Sequence, residues 1–303
     1  MDLSICIVSR NIETYLRPCL KSIFDSPKKL ELEVIVVDNA STDGTVEMVQ
    51  KEFPQVRLIR NQDNLMFAHG NNQAIEVSQG DYILILNSDT EIHGDSLELM
   101  VNFLKTHPEV GTVSCRMIGT DGDLQHCNAR DYTFPMAMIN YTFWGHIFSG
   151  YKKKLNYLLN YEGWDRTTSR EVDWIGDANM MLSRKALQAI GGYYDETFKI
   201  YYTENEICLR LREKGYKVYY LAEGEVLHHE RRSVTREGLK KISKIYEDDT
   251  IAYYKKYHGT FGAYFLSVSM KMTNVLVSIK NMEPRRVLQG FLQPAKNQPP
   301  QKP

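Results

Sequence analysis

Four short apolar runs near the amino terminus each end in acidic or hydrogen-bonding side chains. Ser9-Arg10-Asn11 follows the first, and Asp38-Asn39-Ala40-Ser41-Thr42-Asp43-Gly44 the second. Arg60-Asn61-Gln62-Asp63-Asn64 follows the third, and Asn87-Ser88-Asp89-Thr90-Glu91 the fourth. One such loop is ordinary turn and cap chemistry, because Asn, Asp and Ser favour those positions. Four in succession point to a polar ligand. Neither Gly-x-Gly-x-x-Gly nor Gly-x-x-x-x-Gly-Lys-[Ser/Thr] occurs, which argues against a dinucleotide-dependent dehydrogenase and a P-loop phosphotransferase. Diphosphate charge must then be met another way. A divalent cation on a carboxylate is the usual alternative, and oxygen ligands suit Mg²⁺ or Mn²⁺. Asp89, just after the apolar run Tyr82 to Leu86, is placed for that role.

The elements that must position these groups alternate. Leu3–Ser9, Glu33–Val37, Val56–Ile59, Tyr82–Leu86 and Val110–Cys115 read as buried strands. The intervening stretches carry apolar residues at helical spacing, as in Tyr15, Cys19, Leu20, Ile23 and Phe24. Strands alternating with helices mean βαβ units and a mostly parallel sheet, whose ligands sit at the carboxyl ends of the strands. Unbroken apolar strands fit a sheet covered on both faces. After Cys115 the regular pattern stops. Residues 131–165 are aromatic-rich and irregular, with Lys152-Lys153-Lys154 in the middle. A strand near Val172, helices near Lys185–Ile190 and Thr203–Lys214, and short strands at Lys217–Leu221 and Glu225–Leu227 follow. From about Thr235 the chain reads as helices, then a disordered Pro/Gln/Lys tail over 293–303.

The 303 residues hold 37 Lys plus Arg and 38 Asp plus Glu, a net charge of -1. A duplex nucleic-acid binder would be basic, so no nucleic-acid partner is expected. Five widely spaced cysteines suggest neither a zinc site nor a disulfide framework, and read as idle thiols in a reducing compartment. With no signal segment and no apolar run of membrane-spanning length, the expected location is cytoplasmic.

The ordered set of motifs resembles glycosyltransferase family 2, the inverting nucleotide-sugar transferases of GT-A fold. The matching stretches are Val36 to Gly44, Arg60-Asn61 with Asn64-Leu65 and Phe67, Gly70-Asn71-Asn72, Gly80-Asp81-Tyr82 through Glu91, Gly191-Gly192-Tyr193, Glu204 through Arg212, and Val226 to His229. The Asp-Asn-Ala-Ser and Asn-x-Asp-Thr forms are most similar to the branch containing bacterial rhamnosyltransferases of cell-surface polysaccharide synthesis. The resemblance implies an α/β fold with a mostly parallel, Rossmann-like central sheet flanked by helices, and a C-terminal helical appendage. Residues 1–234 would form the catalytic domain, with a nucleotide-sugar half at 1–115 and an acceptor half at 116–234. Residues 235–292 would form the helical region.

The same resemblance implies the roles. Asp38 would bind the pyrimidine base of a dTDP- or UDP-sugar, with Ser9 and Arg10 lining the pocket. Asn39, Asn64, Asn71, Asn87 and Ser88 would lie on the donor side. Asn87-Ser88-Asp89 stands for the family's Asp-x-Asp, leaving Asp89 as the anionic ligand of Mg²⁺ or Mn²⁺, completed by His228 or His229. Glu204 stands at the position of the family's catalytic Asp and would be the general base. Its rival, Glu206, forms a capping-box pattern with Thr203, which gives Glu206 a structural task. The helix N-terminus beside Glu204 would keep its carboxylate ionised. Trp174, Gly176 and Asp177 match the stretch that faces the acceptor, Trp174 either stacking on a sugar or serving as a core residue. Asp177 stands where the family more often has a small residue. Met66 replaces a usual Gly and would narrow the donor pocket.

The expected function is transfer of a sugar, rhamnose from dTDP-rhamnose being one candidate, to a glycan or lipid-linked glycan hydroxyl. The competing readings are an inactive sugar-nucleotide-binding module and a sugar nucleotidyltransferase. Near the carboxyl terminus, Phe261, Phe265, Val268, Met272, Val275, Leu276 and Ile279 share one helical face. That face either packs on the catalytic domain or in a homodimer contact, or lies on an anionic membrane surface with Lys240, Lys241, Lys255, Lys256, Arg285 and Arg286 nearby. The second option would place the protein peripherally on the inner face of the cell membrane.

Overall fold

The computed structural model describes residues 1–26, 29–229 and 238–279. The expected tail, Arg285 and Arg286 lie outside the described residues, as does the side chain of Lys240.

The chain runs β1 (Leu3–Ser9), α1 (Glu13–Asp25), β2 (Leu32–Asn39), α2 (Thr45–Glu52), β3 (Arg57–Asn61), α3 (Met66–Val77), β4 (Tyr82–Leu86), β5 (Thr90–His93), α4 (Ser96–Thr106) and β6 (Val110–Ile118). It continues with β7 (Leu124–Gln125), β8 (Asn128–Ala129), α5 (Phe134–Tyr141), α6 (Trp144–Ile147), α7 (Ser149–Leu159), β9 (Arg170–Val172), β10 (Trp174–Ile175) and β11 (Asn179–Ser183). It ends with α8 (Arg184–Ala189), α9 (Thr203–Glu213), β12 (Lys217–His228) and α10 (Leu239–Ile279), which is broken at Gly259.

The main sheet has the order β3-β2-β1-β4-β11-β6-β12-β5, with β7 beside β6 and β9 beside β12. Strands β3, β2, β1 and β4 are mutually parallel, as are β6 and β12. Strand β11 runs antiparallel between β4 and β6, a strand the sequence reading did not assign. Its residues, Asn179-Met180-Met181-Leu182-Ser183, include no β-branched or aromatic side chain, so composition did not mark it as a strand. Residues 217–228, read as two short strands, form one strand with an irregular register between Leu221 and Glu225.

The core fits a sheet covered on both faces. On one, Ile5, Ile7, Val34, Val36, Leu84 and Leu86 are buried, and α1 lays Leu16, Cys19, Leu20 and Ile23 on the same cluster. On the other, Cys6, Ile35, Val37, Ile83 and Ile85 are buried as well. Two motif glycines are explained by close approach. A Cβ on Gly80 would stand 2.5 Å from the Ser4 backbone nitrogen, and one on Gly70 2.9 Å from a Val8 methyl. Both glycines let an element sit directly on β1, whose carboxyl end begins the candidate site. The five cysteines are free, and four of them are buried.

The chain forms two compact units. The first comprises Met1–Asp131 and Gly163–Thr250, and the second Tyr132–Glu162 with the chain from Ile251 onward. This division differs from the boundary expected at residue 234. The aromatic stretch after Asp131 groups with the carboxyl-terminal helix, and the start of α10 belongs to the sheet unit.

Candidate active site

Parallel register places the donor-side residues next to one another. Ser9 pairs with Asp38 across β1 and β2, and Asp38 pairs with Arg60 across β2 and β3. Asp38 is buried and accepts hydrogen bonds from Ser41, from the backbone N–H at 3.0 Å and from the hydroxyl on its other oxygen. Each carboxylate oxygen has a second lone pair, so Asp38 can still accept from a ligand. Ser9 Oγ is buried with no hydrogen-bond partner among the described residues. The loops after β1 and β2 are laced together. The Asn11 backbone N–H donates to Ser41 Oγ at 2.9 Å, and Asn11 Oδ1 accepts the Thr42 N–H at 2.7 Å. Sequence reasoning did not foresee this bracing role of Asn11.

The asparagines divide. Asn39, expected on the donor side, is buried with its amide engaged at both ends: Nδ2 donates to the Met66 carbonyl at 3.1 Å and Oδ1 accepts from Asn61 at 2.8 Å. Asn64 Oδ1 accepts the Met66 N–H at 3.0 Å and so braces the same turn. Both hold the start of α3, where Met66 has a φ of 69°. The family's usual glycine takes that conformation without strain, whereas a side chain costs about 1–2 kcal/mol. Asn71 donates to Phe67 within α3, and its Oδ1 is buried with no partner among the described residues. Asn87 donates its backbone N–H to Ala178, which ties the strand end carrying Ser88 and Asp89 to β11.

The two histidines have different neighbours. His228 Nε2 lies 3.5 Å from Asp89 Oδ1, and its Nδ1 is 2.7 Å from Gln125 Oε1. His229 instead puts Nε2 2.7 Å from Glu91 Oε1, with its ring tilted against that of Tyr15 at a centroid distance of 5.1 Å. Its backbone N–H donates to the Asp89 carbonyl at 2.9 Å, which locks β12 to the β4–β5 turn. Asp89 Oδ1 is buried and makes no hydrogen bond among the described residues. An acceptor-only oxygen left unbonded beside an imidazole nitrogen suits a divalent cation. No group of three or more His, Cys, Asp or Glu is placed to hold a metal among the described residues. A cation on Asp89 and His228 therefore needs further oxygen ligands, which a diphosphate carries.

Around Glu204 the structure corrects two expectations. Thr203 does not form a capping box with Glu206: Tyr202, with φ 64°, is the N-cap of α9, and no side chain caps it. The Thr203 hydroxyl turns instead to Asp177 Oδ2 at 2.5 Å and lies 3.2 Å from Glu204 Oε2. Glu206 is buried and structural for another reason, an ion pair with Arg210 at 2.7 Å. Glu204 is not held ionised by the helix terminus. Burial, and after it the Asp177 charge, push its carboxyl up to about 8. Burial also raises Asp177, against the hydrogen bonds from Thr203 and Tyr194. The two carboxyls thus hold a proton near neutrality.

The acceptor-side expectations are revised likewise. Asp177 is buried, its Oδ1 accepting the Tyr194 hydroxyl at 2.9 Å, so both its oxygens point into protein. Trp174 is buried and its indole N–H donates to the Arg130 carbonyl at 3.0 Å, which makes it a core residue rather than an open stacking face. Gly176 donates to the Cys127 carbonyl at 2.7 Å, and a Cβ there would stand 3.3 Å from Cys127 Cβ. It permits a close approach of β10 to the segment after β7.

Asp249 and Tyr194 were missed. Asp249, on α10, is buried and accepts the backbone N–H groups of Lys199 (3.2 Å), Ile200 (3.0 Å) and Tyr201 (2.9 Å). It clamps the loop that delivers Glu204. No spacing rule marks a helical Asp 48 to 50 residues downstream of its targets. The clue for Tyr194 was its place beside the Gly191-Gly192-Tyr193 motif.

A model of "Glycosyl transferase family 2" matches residues 4–191. The chain is 26% identical to O-antigen biosynthesis protein RfbC of Myxococcus xanthus over 76% of this chain and 17% of that protein. It is 22% identical to an N-acetylglucosaminyl-diphospho-decaprenol L-rhamnosyltransferase of Mycobacterium tuberculosis over 77% of this chain and 78% of that protein. It therefore spans about a sixth of the first relative and about three quarters of the second. Among solved structures, GalNAc-T7 with UDP, GalNAc and Mn²⁺ superposes with a TM-score of 0.55 at 15% identity, over 76% of this chain and 44% of that one. The likeness supports the GT-A fold. With more than half of its residues matched by the family model and its strand-end residues arranged on that fold, the chain belongs to glycosyl transferase family 2.

Proposed function

We propose that the protein is an inverting transferase that moves a sugar from a nucleotide diphosphate to a hydroxyl of a glycan or lipid-linked glycan. The observation that carries the proposal is Glu204, at the start of α9, next to the buried Asp177 and Thr203. In this reading Glu204, once ionised, takes the proton of the acceptor hydroxyl. The acceptor oxygen bonds to the anomeric carbon on the face opposite the diphosphate, and the bond to phosphate breaks with its electron pair leaving on the nucleotide. A base with a pKa near the working pH combines availability with proton-transfer driving force.

Asp38 and Ser9 supply the base-recognising groups. A carboxylate accepting a pyrimidine N3–H rejects a ring without that donor. Arg10, Asn71, Asn87 and Ser88 are assigned to the donor side. Asp89 and His228 are the residues assigned to Mg²⁺ or Mn²⁺, which when bound would neutralise charge on the leaving diphosphate. His229 falls outside this assignment, because its Nε2 faces Glu91 whereas that of His228 faces Asp89. The L-rhamnosyltransferase relative supports a rhamnose donor, with dTDP-rhamnose the first to try, and the N-acetylglucosaminyl-diphospho-decaprenol of its name supports a lipid-linked acceptor. Screening dTDP-, UDP- and GDP-sugars by thermal shift with and without Mn²⁺ tests the donor, since ligand binding raises apparent stability by mass action. The anomeric configuration of the product, read by NMR, tests inversion. A retained configuration refutes it.

A further inference from the structure

The second unit carries an inverted amphipathic helix. After the break at Gly259, α10 exposes Phe261, Tyr264, Phe265, Met272, Val275 and Leu276, Phe261 to 86% and Val275 to 58%. At about 100° per residue these six fall within a stripe about 120° wide. The opposite side, facing its own unit, is built from Ala263, Leu266, Ser269 and Thr273, all buried. Thr273 is fixed there by accepting the Phe143 N–H at 2.8 Å. A helix stable in water alone places its large apolar groups inward, and this one places them outward. The same unit exposes Ile147, Phe148, Tyr151 and Tyr157 on and around α6 and α7. Monomeric proteins rarely leave so much apolar surface uncovered.

The charge of the unit says what covers it. Lys153, Lys154, Lys255, Lys256 and Lys271 are exposed, and among the unit's described residues the one acid is Glu162. The whole chain is nearly neutral at -1, whereas the described residues of this unit are depleted of acids and so carry a net positive charge. A second copy docked face to face would set one cationic surface against another. An anionic lipid surface complements both features, apolar side chains entering the interface and lysines meeting headgroups. No helix among the described residues is long and apolar enough to cross a membrane, so the helix lies in the interface plane.

We infer that the outward face of α10 in the second unit docks the protein on anionic lipid. This deepens the proposed lipid-linked acceptor without depending on catalysis. The test is flotation of the full-length protein with phosphatidylcholine vesicles, with and without phosphatidylglycerol. The expected result is co-flotation with the anionic vesicles only, weakened by salt. F261D/V275D, at exposed positions, should lower the bound fraction about tenfold or more, and K153E/K154E should lower binding and its salt dependence together. Circular dichroism on each variant separates lost docking from lost folding, and donor turnover separates failure here from failure of the transferase reading. No flotation by the folded wild type overturns the inference. So does a dimer by sedimentation equilibrium that F261D/V275D converts to monomer, because the face would then be covered by a second copy.

Discussion

Asp177 and Glu204 share one hydroxyl. Thr203 Oγ1 lies 2.5 Å from an Asp177 oxygen and 3.2 Å from a Glu204 oxygen, and it has a single hydrogen to give. The shorter contact claims that hydrogen. A proton on Glu204 can then be donated to Thr203, which gives a chain from Glu204 through Thr203 to the Asp177 carboxylate. The arrangement explains why an acidic residue occupies position 177, where the sequence alone offered no reason for it.

This pairing sets a pH dependence. Glu204 must be ionised to accept a proton, and its carboxyl is pushed up to about 8, so kcat/KM should rise with pH through neutrality and level off above that value. Asp177→Asn removes the charge and keeps a hydrogen-bonding group. The limb should move to lower pH in this variant. A pH–rate profile checks the shift, and an unmoved limb would separate Asp177 from Glu204.

The same group affects stability with a definite sign. The folded-state pKa of Glu204 lies above its ordinary value of 4.5, so folding takes up a proton. The associated stability is fully present below that ordinary value and is lost as pH rises through the folded-state value. Glu204→Gln should therefore raise the melting temperature of the ligand-free protein more at alkaline than at acidic pH. The gain should be on the order of 1–2 kcal/mol after allowing for solvent screening. Thermal melts at both pH values read it.

Asp249 positions rather than reacts. Asp249→Ala strips the Lys199, Ile200 and Tyr201 N–H groups of their acceptor, which should cost about 2–3 kcal/mol of stability. Turnover should drop about a hundredfold with donor affinity kept, because misplacing the loop by about 1 Å suffices for that loss. Asp249→Asn, which retains one acceptor oxygen, should recover part of both. Calorimetric donor binding beside kcat distinguishes this from general unfolding.

The histidines make a paired test. His228→Ala should raise the Mn²⁺ concentration for half-maximal activity about 10–100-fold, and His229→Ala should leave it nearly unchanged, since only His228 faces Asp89. Equal effects would contradict the separation of their roles.

Much of this was legible in the sequence. The apolar runs at Leu3–Ser9 and Glu33–Val37 announced a covered parallel sheet, and parallel register then brought Ser9 beside Asp38. The antiparallel β11 was hidden by its lack of β-branched and aromatic residues, and Asp249 by its distance in sequence from the loop it clamps. The assignments that changed depended on burial. Trp174, Asn39 and Asp177 have the residue types of ligand contacts, yet each spends its polar atoms on protein partners, which spacing cannot reveal. Glu204 was expected to be ionised at a helix terminus, but desolvation and the neighbouring Asp177 carboxylate push its carboxyl up.

The most direct measurement is sugar-transfer turnover by Glu204→Gln at saturating donor and Mn²⁺, with donor affinity measured in parallel. With Glu204 as the general base, turnover should fall about 10²–10⁴-fold while donor affinity stays within about twofold of wild type. Turnover within about tenfold of wild type would remove Glu204 from the base role and contradict the mechanism.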